Sequence, residues 1–179
     1  CVPMQAPDRA VREMHRLKSD FGLQGIEVGS NINGTYLGDP AFDPIFAAVE
    51  ALDLAIFVHA LHPLHGSALK PILGPLAGFP SDTGLCVASI IAGGVLERFP
   101  KLRIGFSHLG GTIGSMIHRL DYGWTVSGGF SGTLPHPPKH YAQQMFFDSL
   151  AYNPAYVAHA AQELAPGRIF LGTDYPYTI

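Results

Sequence analysis

Three apolar runs along this chain each end abruptly on a polar side chain: Leu54-Ala55-Ile56-Phe57-Val58-His59, Leu102-Arg103-Ile104-Gly105-Phe106-Ser107-His108 and Arg168-Ile169-Phe170-Leu171-Gly172-Thr173-Asp174. Runs this short predict strands of a parallel sheet, buried on both faces, and the last is bounded by Gly167 and Pro176. Gly25-Ile26-Glu27-Val28-Gly29 and Met145-Phe146-Phe147-Asp148 read as two more, and Cys1-Val2-Pro3-Met4 as the tail of another. Between the strands, apolar positions recur at helical spacing. Ala10, Val11, Met14, Leu17 and Phe21 share one face of a helix that opens at Pro7-Asp8 and stops at Gly22. Ile45, Phe46, Val49 and Leu52 mark a second helix, capped by Asp43-Pro44. Residues 83–99, with Ser81 or Asp82 as the cap, are small or apolar on nearly every side from Leu85 to Leu96. Such a helix is buried twice, on the sheet and against a second subunit or another part of the chain. Helices from about Thr112 to Tyr122 and from Asn153-Pro154 through Leu164 complete the pattern. Residues 30–38, 60–80 and 123–144 read as loops. The second sits at the C-terminal end of a strand, where functional loops gather, and the third is expected to be a lid or an interface arm.

Strand, helix, strand, helix to the end predicts a parallel α/β fold. Five full strands and the end of another are too few to close an eight-stranded barrel, which takes about 250 residues. Either the sheet is open, or residues 1–179 are one part of a longer barrel domain. With 47% hydrophobic residues in 179, the chain can bury a substantial core. A formal charge of -3 and the lack of any Lys or Arg run argue against nucleic acid or an anionic membrane as partner. No signal-peptide pattern opens the chain, and no uninterrupted apolar run approaches the roughly 20 residues that span a bilayer. Cys1 and Cys86 do not make a disulfide framework, so a reducing cytoplasm is the simpler expectation, with a bond between the two left open.

Imidazole nitrogens and a carboxylate oxygen are the ligand types of a catalytic zinc or similar divalent ion. His59, His108 and Asp174 would present them from the ends of three strands, where α/β folds place their chemistry. Singly, each reads as a hydrogen-bonded core histidine or a turn-capping aspartate; three at equivalent ends point to a site. Asp148 reads equally as a cap of the following loop or as the hydrogen-bond partner of a ligand. His59, His62 and His65 are spaced by three, but Pro63 breaks any helix that would align them. Neither Ser107 nor Ser149 stands in a Gly-x-Ser-x-Gly elbow, and no phosphate-binding glycine fingerprint follows a strand.

Several motifs recur together. They are Phe57-Val58-His59, then Glu97-Arg98-Phe99-Pro100-Lys101-Leu102-Arg103-Ile104 leading to Ser107-His108-Leu109-Gly110-Gly111, and finally Leu171-Gly172-Thr173-Asp174-Tyr175-Pro176-Tyr177. With Val2-Pro3-Met4-Gln5, Gly25-Ile26-Glu27-Val28, Pro80-Ser81-Asp82-Thr83 and Phe147-Asp148-Ser149, they resemble the amidohydrolase-related family of aminocarboxymuconate-semialdehyde decarboxylase over nearly the whole chain. The resemblance implies a TIM (β/α)8 barrel of the metal-dependent hydrolase type, of which this chain covers roughly the end of strand 3 to strand 8. It implies a divalent cofactor, Zn2+ by expectation, held by His59 and Asp174, with Asp174 also catalytic. His108 would be the acid/base handling the proton of a metal-bound water, and Gly110 and Gly111 would let a small carboxylate substrate approach the backbone; His62, taken by itself, reads as an exposed loop histidine or a further substrate contact. The expected reaction is decarboxylation of an unsaturated or aromatic acid. A hydrolase or hydratase of the same superfamily and a non-catalytic barrel relative are the alternatives, and the twice-buried helix predicts a homodimer. The family's His-x-His pair is not in this sequence and is expected upstream of Cys1. Asp121-Tyr122-Gly123-Trp124-Thr125 stands where the closest decarboxylases carry an Arg for a substrate carboxylate.

Overall fold

The structure is a computed structural model and describes residues 2–126, 130, 132 and 134–177. Its strands, in chain order, are β1 (Gly25–Gly29), β2 (Asn31–Ile32), β3 (Thr35–Tyr36), β4 (Ala55–His59), β5 (Arg103–Phe106), β6 (Phe146–Asp148) and β7 (Ile169–Phe170). β1, β4, β5, β6 and β7 form one all-parallel sheet in that order, and β2 and β3 form a small antiparallel hairpin inside the first predicted loop. In register, Val28 lies beside Val58, and Val58 beside Phe106. Because side chains alternate across a strand, Ile56, Val58, Ile104, Phe106 and Phe147 are buried under the helices. Phe57, Gly105, Phe146 and Phe170 line a separate cavity of about 550 Å³. Phe57 and Phe170 meet edge to face at 5.9 Å although β5 and β6 separate their strands, so the sheet is strongly curled.

The helices are α1 (Pro7–Phe21), α2 (Asp43–Ala51), α3 (Phe79–Ala92), α4 (Val95–Arg98), α5 (Ile113–Val126), α6 (Pro138–Ala142) and α7 (Pro154–Glu163). Pro7 in the first turn, Asp8 beside it and Gly22 in the left-handed region bound α1 as its sequence predicts. Asn153 caps α7 by accepting from the Ala155 and Tyr156 N–H groups. Three boundaries differ. Asp43 is the first residue of α2 rather than its cap and pairs with Arg98 at 2.8 Å. α3 grows directly out of a π-helical turn, Gly74–Gly78, so Ser81 and Asp82 lie inside it, and Gly93-Gly94 separates it from α4. Val2 to Met4 form a turn closed by Met4 N–H on Val2 O at 2.9 Å and contribute no strand; Cys1 lies outside the described residues.

The second covering of α3 comes from this chain itself, which packs β4, the β2–β3 hairpin, α5 and α6 around it. The π-turn and α3 together make one 19-residue stretch, Gly74–Ala92, long and apolar enough by length and composition to cross a membrane. That corrects the sequence-based expectation that no such stretch exists. Its buried Thr83, Cys86, Val87, Ile90 and Ile91 make it a core helix of this fold. The expected lid is also different: residues 123–126 belong to α5, while Leu134, Tyr141 and Ala142 are buried. Trp124 Nε1 donates to Leu134 O at 2.9 Å and Lys139 N–H to Asp121 Oδ1 at 2.8 Å, tying that segment to α5. Residues 127–129, 131 and 133 of the expected lid lie outside the described residues. Within residues 1–179 the last apolar run forms the two-residue β7, which pairs with β6 among the described residues and leaves Phe170 39% and Leu171 83% exposed.

Candidate active site

The three polar side chains reach the C-terminal end of the sheet by three different local devices. His59 is the last residue of β4. His108 lies two residues beyond β5 and opens a run of four residues at positive φ: His108 56°, Leu109 54°, Gly110 72° and Gly111 60°. For a residue with a Cβ this conformation costs of order 1–3 kcal/mol and persists only where the surroundings hold it. Here Asp148 Oδ1 accepts from Leu109 N–H at 2.8 Å and Pro80 O from Thr112 N–H at 3.1 Å. A Cβ on Gly110 would stand 2.5 Å from the Phe147 ring, and one on Gly111 1.8 Å from Pro80 O. Buried Ser107 places its Oγ 3.1 Å from His108 Nδ1. Asp174 stands four residues beyond β7, itself at φ 54°, on an exposed segment.

These devices bring the three groups together. His59 Nε2 lies 3.6 Å from Asp174 Oδ1, and the His59 and His108 ring centroids are 5.0 Å apart. One donor atom from each of the three falls within 4.8 Å of the other two. Two imidazole nitrogens and a carboxylate oxygen at this spacing fit a divalent ion of the zinc or manganese kind, which takes both ligand types. Burial, with His59 adjacent, pushes the His108 pKa below the usual imidazole value, and Asp148 and Asp174 oppose that shift.

A cavity of about 690 Å³ opens over the three residues, walled by Leu76, Phe79, Pro80, Leu150, Tyr152 and Tyr156. Gly111 also lines it, but Gly110 does not: it faces Phe147 and Ile113, so packing and a positive φ account for that glycine. His62 is exposed and outside the lining; its carbonyl accepts from Asn31 Nδ2 at 2.9 Å. Sequence reasoning missed Phe79, whose ring lies 6.0 Å from that of His59 and 6.4 Å from that of His108. The signal for Phe79 was an aromatic near the end of the Pro/Gly-rich stretch 60–80, next to the predicted helix. It also read Asp82 as a cap. That buried carboxylate instead accepts from Ser30 Oγ, Asn31 Nδ2, Tyr36 OH and Leu64 N–H, fixing the hairpin and the loop after β4 to α3. A lone acid within an apolar helix was the available signal.

Comparison with known proteins gives the family. The family model described as "Amidohydrolase" matches residues 1–179. The chain is 32% identical to 2-amino-3-carboxymuconate-6-semialdehyde decarboxylase of Dictyostelium discoideum, over 99% of this chain and 50% of that protein. It is 29% identical to 6-methylsalicylic acid decarboxylase of Penicillium expansum, over 83% of this chain and 45% of that protein. Among solved structures, 5-carboxyvanillate decarboxylase of Novosphingobium aromaticivorans, complexed with manganese and 4-hydroxy-3-methoxy-5-nitrobenzoic acid, superposes with a TM-score of 0.82. That match is 28% identical and covers 99% of this chain and 53% of that one. The chain spans about half the length of the curated relatives it matches.

Proposed function

Since this chain belongs to the amidohydrolase family over its whole length, its curled parallel sheet being part of a TIM barrel, we propose that it serves a metal-dependent decarboxylase of small aromatic or unsaturated carboxylic acids. The observation that carries this reading is the convergence of His59, His108 and Asp174 within 4.8 Å beneath an apolar and aromatic cavity. The decarboxylase names of the relatives support it. His59 and Asp174 would hold the divalent ion, zinc or manganese, which when bound supplies positive charge to polarise the oxygens of the substrate.

The remaining chemistry falls to the chain's own groups. Loss of carbon dioxide leaves an electron pair on the carbon that carried the carboxylate, and that carbon must receive one proton. With Nδ1 engaged by Ser107, Nε2 of His108 is the ring nitrogen left to deliver it. Burial lowers the His108 pKa and so favours release of a ring proton to the carbon, the proton being replaced from solvent afterwards. Phe79, Leu76 and Leu150 wall the cavity with apolar surface. Such a wall disfavours a carboxylate relative to neutral carbon dioxide and so assists the forward reaction.

The test is carbon dioxide release from a panel of hydroxybenzoates, with Mn2+ or Zn2+ added to the purified protein. Release from at least one supports the reading. Lactone or amide hydrolysis without release would make the protein a hydrolase of the same family, and neither activity would make it a non-catalytic relative. A cytoplasmic homodimer is the setting this reading carries; exposed Leu85 on α3, and exposed Ile72 and Leu73 ahead of the π-turn, are apolar surface that a second copy could cover. A monomeric mass in solution would count against the dimer.

A further inference from the structure

Asp148 is 3% exposed at the end of β6, and one of its oxygens serves two backbone donors: Oδ1 accepts from Leu109 N–H at 2.8 Å and from Leu150 N–H at 3.0 Å. Leu109 is the residue after His108, inside the run of positive φ. On its other side the Asp148 side chain fills the space above Gly172, two residues before Asp174. A Cβ there would lie 2.6 Å from Asp148 Cβ and 2.8 Å from Oδ2. Asp148 also lines a small cavity with His59, Ser107, Thr173 and Asp174. One buried side chain thus touches both the turn that presents His108 and the segment that presents Asp174.

We propose that Asp148 is a positioning residue that sets His108 and Asp174 relative to each other, by hydrogen-bonding the Leu109 amide and by seating Gly172 against its own side chain. The proposal rests on the reading that His108 and Asp174 carry the chemistry. What matters in it is the acceptor oxygen and the shape, which an amide reproduces: Asp148→Asn keeps an oxygen toward Leu109 and Leu150. Asp148→Ala removes it and leaves the buried Leu109 N–H and the half-buried Leu150 N–H without this partner, while Gly172→Ala leaves both hydrogen bonds in place and pushes on the segment that ends in Asp174.

The experiment measures the Mn2+ dissociation constant of the purified protein and each variant, followed by kcat and KM for the best benzoate found. Replacing a group that orients metal-site residues typically costs about 10- to 100-fold in affinity or activity. Asp148→Ala and Gly172→Ala are expected to weaken Mn2+ binding by about tenfold or more and to lower kcat with little change in KM. Asp148→Asn is expected to stay close to the unsubstituted protein in both. Asn as damaging as Ala would overturn the proposal by making the negative charge the essential property, and so would wild-type Mn2+ affinity in Gly172→Ala. If Asp148→Ala does not fold, the Asn and Gly172 variants still decide. If the unsubstituted protein releases no carbon dioxide from any benzoate, the decarboxylase reading fails separately, and the Mn2+ series still tests the positioning.

Discussion

The turn that carries His108 and the segment that carries Asp174 deliver side chains to one cavity from opposite structural settings. The first is buried and held from several directions: Asp148 on its amide, Phe147 against Gly110, Pro80 over Gly111, Ser107 on the ring. The second leaves a two-residue strand at the edge of the described sheet: Gly172 packs on the Asp148 side chain and donates to Ser149 Oγ at 3.3 Å, Tyr175 N–H donates to Thr173 Oγ1 at 3.3 Å, and Tyr177 N–H to Asp174 O at 2.9 Å, along an exposed stretch. Few buried contacts and exposed backbone mark the low-stability end of a structure. Within these residues the His108 turn is therefore the more constrained of the two.

The sharpest way to break this contrast is to remove the side chains themselves. His59→Ala or Asp174→Ala should empty the site of metal and reduce turnover to background, read by elemental analysis and carbon dioxide release. His108→Ala should keep its metal and lose about 10²- to 10⁴-fold in kcat, the range for a general acid or base. Loss of metal in that variant would instead make His108 a ligand. A smaller effect separates the two settings by backbone alone. Gly111→Ala meets Pro80 O at φ 60° and should cost about 3 kcal/mol or more in unfolding free energy. Gly167→Ala, at φ 71° in open space just before β7, should cost about 1 kcal/mol. Similar losses in urea melts of the two would deny that the His108 side is the more constrained.

The smallest expected effect concerns the flank of the rigid side, where Tyr141 OH donates to Glu97 Oε1 at 2.6 Å. Burial, then that carboxylate, push the Tyr141 pKa up to about 12. A folded-state pKa raised above the unfolded value near 10 gives stability that is complete below about pH 10 and lost as pH rises toward about 12. Tyr141→Phe should cost about 1 kcal/mol at neutral pH, and its difference from the unsubstituted protein should shrink between pH 10 and 12. A difference independent of pH would remove this contact from the alkaline limb.

The architecture was readable because parallel strands and amphipathic helices leave period and length signals, and His59, His108 and Asp174 could be found as polar endings of apolar runs. The same signals say nothing of which strand stands at an edge: β7 has one partner among the described residues, and Leu171 beyond it is exposed there. Gly110-Gly111 announced an unusual backbone, whereas nothing in His108-Leu109 did, because their conformation is imposed by Asp148, 39 residues away from Leu109. Asp82 was misread for a like reason: its partners Ser30, Asn31 and Tyr36 lie 52, 51 and 46 residues earlier, beyond any local pattern.

Strand order in the main sheet repeats chain order, β1, β4, β5, β6, β7, with every neighbour parallel. During synthesis, each of these strands after β1 therefore emerges to find its partner already made, and the sheet can grow from one edge as the chain leaves the ribosome. No strand has to be inserted between two that are already paired. The His59 strand end can settle early in that sequence, the His108 turn waits for Asp148 of β6, and the Asp174 arm follows β7, so that the three groups meet only when this part of the barrel is complete.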